Sequence, residues 1–422
     1  VEMESVLMAL DETFSALTRT WCIAELSGAA RRVPMRFRLS KNTSEVVPQV
    51  RMNKDLAKEK KPLLRASDLI KMSVNLMDGI EFCEARCSPD QDRILGNIKK
   101  HFEGGFPAYD LFVNAFLLLQ FGNFTQLPSL AGFAFEAMAQ VPELNSRFDV
   151  EIFDLGPWEG LGRLSKLSSL NLDFHHCTNL ADISSMKALE ELVNLRSLSI
   201  AYVDCVQLAD ISPLGSVGQL SQLTNVNLDF SNCEKLSDIG PLFKLEELSK
   251  LLDVVLKFDG CKMLSDITPL SGLEGPEGLN SINLSFVGCQ VSDIGPLKNL
   301  ELLEKLTCAK FNFGHCGQLN YISPVQGYWK LMNLTDLSWS FNFCEKLADI
   351  TALQTVFQSP TSKLSSVSLD FGHCVKINDI SALRSLKFPA VLKDVSLVFS
   401  FCRLLIDITP LHGLGELNSL ES

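Results

Sequence analysis

Nine cysteines recur at near-constant spacing: Cys177, Cys205, Cys233, Cys261, Cys289, Cys316, Cys344, Cys374 and Cys402. Their separations are 28, 28, 28, 28, 27, 28, 30 and 28 residues. Regular thiols invite two chemistries, metal ligation and disulfide exchange. Neither suits this pattern, because the repeats contain no C-x-x-C spacing and nine equivalent thiols cannot all pair. A buried cysteine is a small hydrophobe with a weak donor, which fits a crowded turn. The nine are therefore read as a structural ladder that needs neither metal nor cofactor. Free thiols favour a reducing, intracellular compartment, cytoplasmic or organellar, over a secreted one. His176, His315 and His373 stand directly before their cysteines but in repeats 1, 6 and 8, too far apart to share an ion, so they read as turn histidines.

The elements that carry these residues follow from what surrounds them. Ten residues before each cysteine stands Leu, from Leu167 to Leu392, and three before it an aromatic, from Phe174 and Tyr202 to Phe399. An Ile marks the next bend in all nine units, preceded by Asp in eight and by Tyr321 in the other. Each such Asp is expected to hydrogen-bond turn backbone, not to act as an acid. Leu170, Leu172 and Phe174 alternate with Ser169, Asn171 and Asp173, the period-two pattern of a half-buried strand. Beyond the turn the apolar period moves toward three to four, as in Ile211, Leu214 and Val217. Ser212-Pro213, Thr268-Pro269, Ser323-Pro324 and Thr409-Pro410 place a hydroxyl before Pro, which predicts a helix start capped by that hydroxyl. One strand-plus-helix unit cannot bury its apolar face alone, so the units must stack.

The L-x-x-L-x-L pattern resembles the leucine-rich repeat, and Val291-Ser-Asp-Ile-Gly-Pro-Leu297 is similar to the internalin-type D-I-[ST]-P-L connection. The resemblance covers residues 160 to 422. It implies an α/β fold, a leucine-rich-repeat solenoid with a parallel sheet on the concave face and short helices on the convex face. The period here is longer than in that subclass, leaving room for real helices. Cys stands where Asn usually forms a ladder.

Function in a stacked array resides on strand residues that face away from the core. Those include Asp173, Asp229, Asp253, Asp336, Asp370 and Asp394, with Lys257 and Lys310 as rare positives, set among Ser and Asn. No histidine cluster, carboxylate pair beside a nucleophile or glycine-rich phosphate loop accompanies them. The expected role is an acidic docking strip for a protein partner with a basic surface. Leu417 and Leu420 keep the three-residue spacing that opens each strand, without a polar cap after them. Further repeats, or a second chain over this open C-terminal end, are expected there.

Residues 1–60 read as a small α/β segment. Val6–Leu10 and Arg32–Leu39 have strand character, flanking Trp21-Cys-Ile-Ala-Glu-Leu26. That stretch resembles the W-C-x-x-E-L box of TIR domains, and in NAD-cleaving members the Glu is catalytic, which would map onto Glu25. Only five residues precede Val6, so the segment is partial and a closed NAD pocket is not expected. Residues 61–157 read as a helical region capping the first repeat, with Cys83 and Cys87 one turn apart but lacking companion ligands, and 158–422 as the solenoid of about nine repeats. Arg31 to Lys71 carries twelve basic and four acidic residues, which reads as a solvated charged linker.

Composition narrows the classes further. The 422 residues carry a net charge of −12 and are 46% hydrophobic, which excludes a wholly disordered chain. Residues 1–150 hold 18 basic and 19 acidic residues and the rest 20 and 31, so the excess negative charge lies in the repeats and opposes nucleic-acid binding. No apolar run reaches the roughly 20 residues of a transmembrane helix, and the acidic start does not resemble a secretory leader. The reading is a non-enzymatic protein-interaction module, a scaffold or accessory subunit of a larger assembly. The alternative is a TIR-like NAD hydrolase whose repeats sense a ligand.

Overall fold

The computed structural model describes residues 6–10, 35–39, 142–147, 155–356, 363–385 and 392–416. The chain divides into two compact units, Val1–Leu195 and Arg196–Ser422. This boundary falls after the first repeat, whereas the sequence pattern changes near residue 157.

In the first unit, β1 (Val6–Leu10) and β2 (Met35–Leu39) pair in parallel. A third strand, β3 (Glu143–Arg147), pairs in parallel with β4 (Ser169–Asp173). β3 falls inside the span expected to be helical. Its Leu144 is buried and pairs in register with Leu170, so a single inward Leu docks the segment as one more strand. A 3-10 helix at Gly156–Arg163 follows it, with Trp158 fully buried edge-on to Phe174.

The second unit holds β5 (Ser197–Ala201), β6 (Asn225–Asp229), β7 (Asp253–Lys257), β8 (Ser281–Ser285), β9 (Cys308–Asn312), β10 (Asp336–Ser340), β11 (Ser366–Asp370) and β12 (Asp394–Val398). Each pairs in parallel with the next, and the register places position one of each strand beside position one of its neighbour. Positions two and four point inward. Residues such as Leu198, Ile200, Val254, Leu256, Leu337 and Trp339 are essentially inaccessible there. Hydrophobic burial at about 25 cal/mol per Å2 of apolar surface makes this inner face the main source of stability.

The return segments are 3-10 helices rather than α-helices; among the described residues only Leu353–Val356, in the longest repeat, is α-helical. The physical reason is the apolar period. Ile211, Leu214, Val217, Leu220 and Leu223 recur every third residue and are all buried, and a helix with three residues per turn keeps them on one side. The i→i+3 bonds follow, with Leu214 N donating to Ile211 O at 3.0 Å and Leu220 N to Val217 O at 3.0 Å.

The hydroxyls expected as helix caps do not cap. Ser212 and Thr268 are the first helical residues, and the preceding Ile occupies the cap position with no side-chain bond. The cap comes from the Asp of each Asp-Ile pair instead. Asp210 Oδ1 accepts the Ser212 N–H at 2.7 Å, and Asp182, Asp238, Asp266, Asp293, Asp349, Asp379 and Asp407 repeat the arrangement at 2.6–2.8 Å. Where Tyr321 replaces Asp, its hydroxyl donates to Asp293 Oδ1 at 2.7 Å, so one carboxylate serves two repeats.

Two ladders lie behind the turns, buried along their length except at Phe399, which is half-buried. Tyr202, Phe230, Phe258, Phe286, Phe313, Phe341, Phe371 and Phe399 stack in sequence with centroids 5.2–5.9 Å apart. Beside them, each thiol from Cys233 onward donates to the aromatic carbonyl of the preceding repeat. Cys233 Sγ reaches Tyr202 O at 3.2 Å and Cys289 Sγ reaches Phe258 O at 3.0 Å. The Phe230 carbonyl accepts both its own Cys233 N–H and the Cys261 thiol, which satisfies both lone pairs.

Candidate interaction surface

Strand positions one, three and five face outward and form three columns across the second unit. The first runs Ser197, Asn225, Asp253, Ser281, Cys308, Asp336, Ser366, Asp394. The central column is Ser199, Asn227, Val255, Asn283, Lys310, Ser338, Ser368, Ser396, with Lys310 exposed. The third is Ala201, Asp229, Lys257, Ser285, Asn312, Ser340, Asp370, Val398. Thus Asp253, Asp336 and Asp394 line one margin of the sheet and Asp229 and Asp370 the other, with an almost neutral Ser/Asn lane between. Asp173 ends β4 in the first unit, at the equivalent position five.

The margins do different work. Asp229 Oδ1 accepts the Ser231 N–H at 3.0 Å and its hydroxyl at 2.5 Å, and Asp370 Oδ1 accepts the Gly372 N–H at 2.8 Å. Asp173 does the same for His175 N–H at 3.1 Å and also contacts the His175 ring. These three position-five carboxylates shape the turn after their strand. Where position five is Ser285, Asp259 of the previous repeat replaces them, accepting the Ser285 hydroxyl at 2.5 Å and the Val287 N–H at 2.9 Å. Lys257 pairs with Asp229 at 3.5 Å. On the opposite margin, Asp253 accepts from Asn225 Nδ2 at 2.8 Å and Asp336 from the Thr335 hydroxyl at 2.6 Å. Those are side-chain bonds that leave the turn backbone untouched.

All nine ladder cysteines are unoxidised and buried. Loss of hydration on burial pushes the Cys289, Cys344 and Cys374 thiols up to about 12, and Cys233, Cys261 and Cys316 also upward. Such thiols are protonated near neutrality and poor nucleophiles. Among the described residues no group of three or more His, Cys, Asp or Glu is arranged to hold a metal ion. No helix among them is long and apolar enough to cross a membrane. Glu25, with the Trp21–Leu26 motif, Cys83 and Cys87, lies outside the described residues.

The turn histidines belong to a longer column, formed by the residue before each cysteine. The residue before each cysteine takes left-handed backbone: His176, Asp204, Asn232, His315, Phe343, His373 and Phe401 at φ 58–62°, Gly260 and Gly288 at 75°. None of these residues is buried. His315, Phe343, His373 and Phe401 stack on one another at 4.3, 4.0 and 4.3 Å, a continuous ring column on the outside of the turns. Aligning that single position would have revealed it, since Phe alternates with His in the last four repeats. The last described repeat also leaves Phe401, Leu404, Ile406 and Ile408 exposed, Ile406 at 92%.

No family model matches the chain. No curated protein matches it either. Among solved structures it is similar to an internalin C2 from Listeria monocytogenes, at 21% identity over 56% of this chain and 83% of that one, TM-score 0.37. The functional domain of InlJ from Listeria monocytogenes, which includes a cysteine ladder, aligns at 18% identity over 65% of this chain and 57% of that one, TM-score 0.29. A structure of the Rad7 and Elc1 complex in yeast aligns at 17% identity over 70% and 68%, TM-score 0.38. Strand-turn-3-10 units of about 28 residues, parallel register, and buried Leu, Phe and Cys ladders make the repeats a leucine-rich-repeat solenoid.

Proposed function

We propose that this chain is a non-enzymatic protein-interaction module, a scaffold or accessory subunit that receives a partner with a basic surface on the outward face of its sheet. The observation that carries the reading is the three-column face itself. Short Ser, Asn and Asp side chains stand on a backbone fixed by parallel pairing and by ladders behind it, so binding orders little that is not already ordered. Acidic margins beside a neutral lane suit a partner whose cations steer encounter while the lane supplies hydrogen bonds. Buried, protonated thiols support residence in a reducing compartment, where no oxidant would challenge them.

The test uses Asp253→Lys with Asp336→Lys, chosen because neither carboxylate caps a turn. Chains that co-purify with the wild type after crosslinking are expected to be depleted with the variant, and association at low salt to slow by about tenfold. Melting temperature is expected to hold. Unchanged co-purification at unchanged stability removes the sheet face from consideration.

A further inference from the structure

The outer ring column stops abruptly at one rung. His315 stacks on Phe343 on one side, but the preceding rung is Gly288, where a Cβ would meet nothing within 4 Å. One rung further back, Gly260 also lacks a side chain, yet its space is taken: the Asn232 carboxamide oxygen occupies the place of a Cβ there. Asn232 is held in that pose because its Nδ2 donates to Asp204 Oδ1 at 2.8 Å. The result is a vacancy one rung wide, with an imidazole face on one side and a hydrogen-bond acceptor on the other. Repeats are spaced by about 4.8 Å, so Gly260 and His315 are separated by roughly 9.6 Å, enough for a single flat group between them. The floor is fixed, since Gly260 N donates to Val287 O at 2.7 Å and Gly288 N to Gly314 O at 2.8 Å.

We infer that the Gly288 rung is a slot for one arginine side chain of a protein partner, one face of its guanidinium stacked on the His315 ring and the other turned to the partial negative charge of Asn232 Oδ1. This rests on the interaction-module reading and names one group of the partner. A guanidinium is flat, carries donors only, sheds water more readily than an ammonium and stacks on aromatic faces. A phenyl ring would set its negative face against the Asn232 oxygen, and a lysine ammonium is not planar. Charge agrees with this choice. The chain carries −12, Asp259 directly precedes Gly260, and the nearby cations are neutralised, Lys257 by Asp229 at 3.5 Å and Lys262 by Glu234 at 2.6 Å.

The experiment uses the full chain with carbon-13-labelled histidine, titrated with acetyl-Gly-Arg-Gly-amide at about pH 8, above the ordinary histidine range. Matched Lys and Phe peptides serve as comparisons. Saturable displacement of the His315 ring signals by the Arg peptide alone is expected. Gly288→His should fill the slot and weaken the peptide by about tenfold. Histidine already adopts this backbone at His176, His315 and His373. If that variant does not fold, Gly288→Asn takes its place, since Asn232 holds the same left-handed conformation. An unmoved His315, equal binding by the variant, or a Phe peptide that binds as well as the Arg peptide overturns the assignment. The peptide needs no partner, so a silent titration leaves the sheet-face reading standing, and failure of the sheet-face variants leaves this titration interpretable.

Discussion

Two neighbouring columns run through the same turns of the second unit, one residue apart. At one of them every rung from Cys205 to Cys402 is the same small thiol, buried, with Cys233 onward each donating to a carbonyl one repeat back. At the other the rungs are Asp204, Asn232, Gly260, Gly288, His315, Phe343, His373 and Phe401, all in left-handed backbone and none of them buried. Left-handed conformation costs a non-glycine residue about 1–2 kcal/mol, so backbone alone would favour Gly throughout. Only two rungs are Gly. Volume and a donor direction dictate the inner column completely, whereas the outer column is constrained in backbone and released in side chain. Ring stacking and the Asn232–Asp204 bond offset part of the strain. Side chains can vary in the outer column without disturbing the inner one.

Alkali should break the inner column first and with the largest effect. The thiol pKa values are raised in the folded state, so the stability they contribute is complete below the free-thiol range near 8.5 and is lost as pH climbs toward the folded values. For Cys289, Cys344 and Cys374 those are about 12. Each thiol then removes about 1.4 kcal/mol per pH unit above that range. Urea unfolding under reductant from about pH 8 to about pH 10 should show a steep decline, and Cys289→Ala should lower the slope by one proton. A flat profile would contradict the burial described.

Next in size, Phe286→Ala removes a fully buried ring stacked between Phe258 at 5.2 Å and Phe313 at 5.4 Å. A loss of about 3–5 kcal/mol is expected on denaturant melting. The sharpest comparison of the two columns is Cys344→Ala against Phe343→Asn. The former removes a buried sulfur and its 3.2 Å bond to Phe313 O, costing about 1–2 kcal/mol. The latter exchanges one left-handed residue for another that tolerates the conformation better, and should cost under about 1 kcal/mol. Equal losses would make the outer column structural as well.

The smallest effect is on the acid side. The Thr268 hydroxyl and N–H hold the Asp266 carboxyl below its ordinary value, as the Ser381 N–H and hydroxyl do for Asp379. A depressed folded pKa gives stability that is present above the ordinary carboxylate range and lost as pH falls through the folded value. Wild type should therefore melt slightly earlier at about pH 3 than at about pH 5, and Asp266→Asn should reduce that difference.

Much of this was legible because burial repeats. Leu167 to Leu392, the aromatics and the cysteines each face the same crowded environment nine times, so nine independent choices of the same residue expose it. The Asp-Ile turns were readable for a related reason, because a carboxylate two residues before a helix start has one obvious backbone donor. The caps were less legible, because the hydroxyls of Ser212 and Thr268 precede Pro in the sequence while Asp210 and Asp266 already fill the role. β3 left no signal in the sequence because one inward Leu is too little periodicity to detect.

Composition and spacing by themselves determined the repeat, its inner ladders and the set of outward residues, since each depends on local alternation and on which side chains must leave water. Only the tertiary structure decided that the outward acids part into two margins, that Asp229 and Asp370 are committed to turns, and that His315 faces an empty rung at Gly288. Those facts depend on which residues of different repeats lie side by side, and register between strands is set by hydrogen bonds across some 28 residues that no local pattern records.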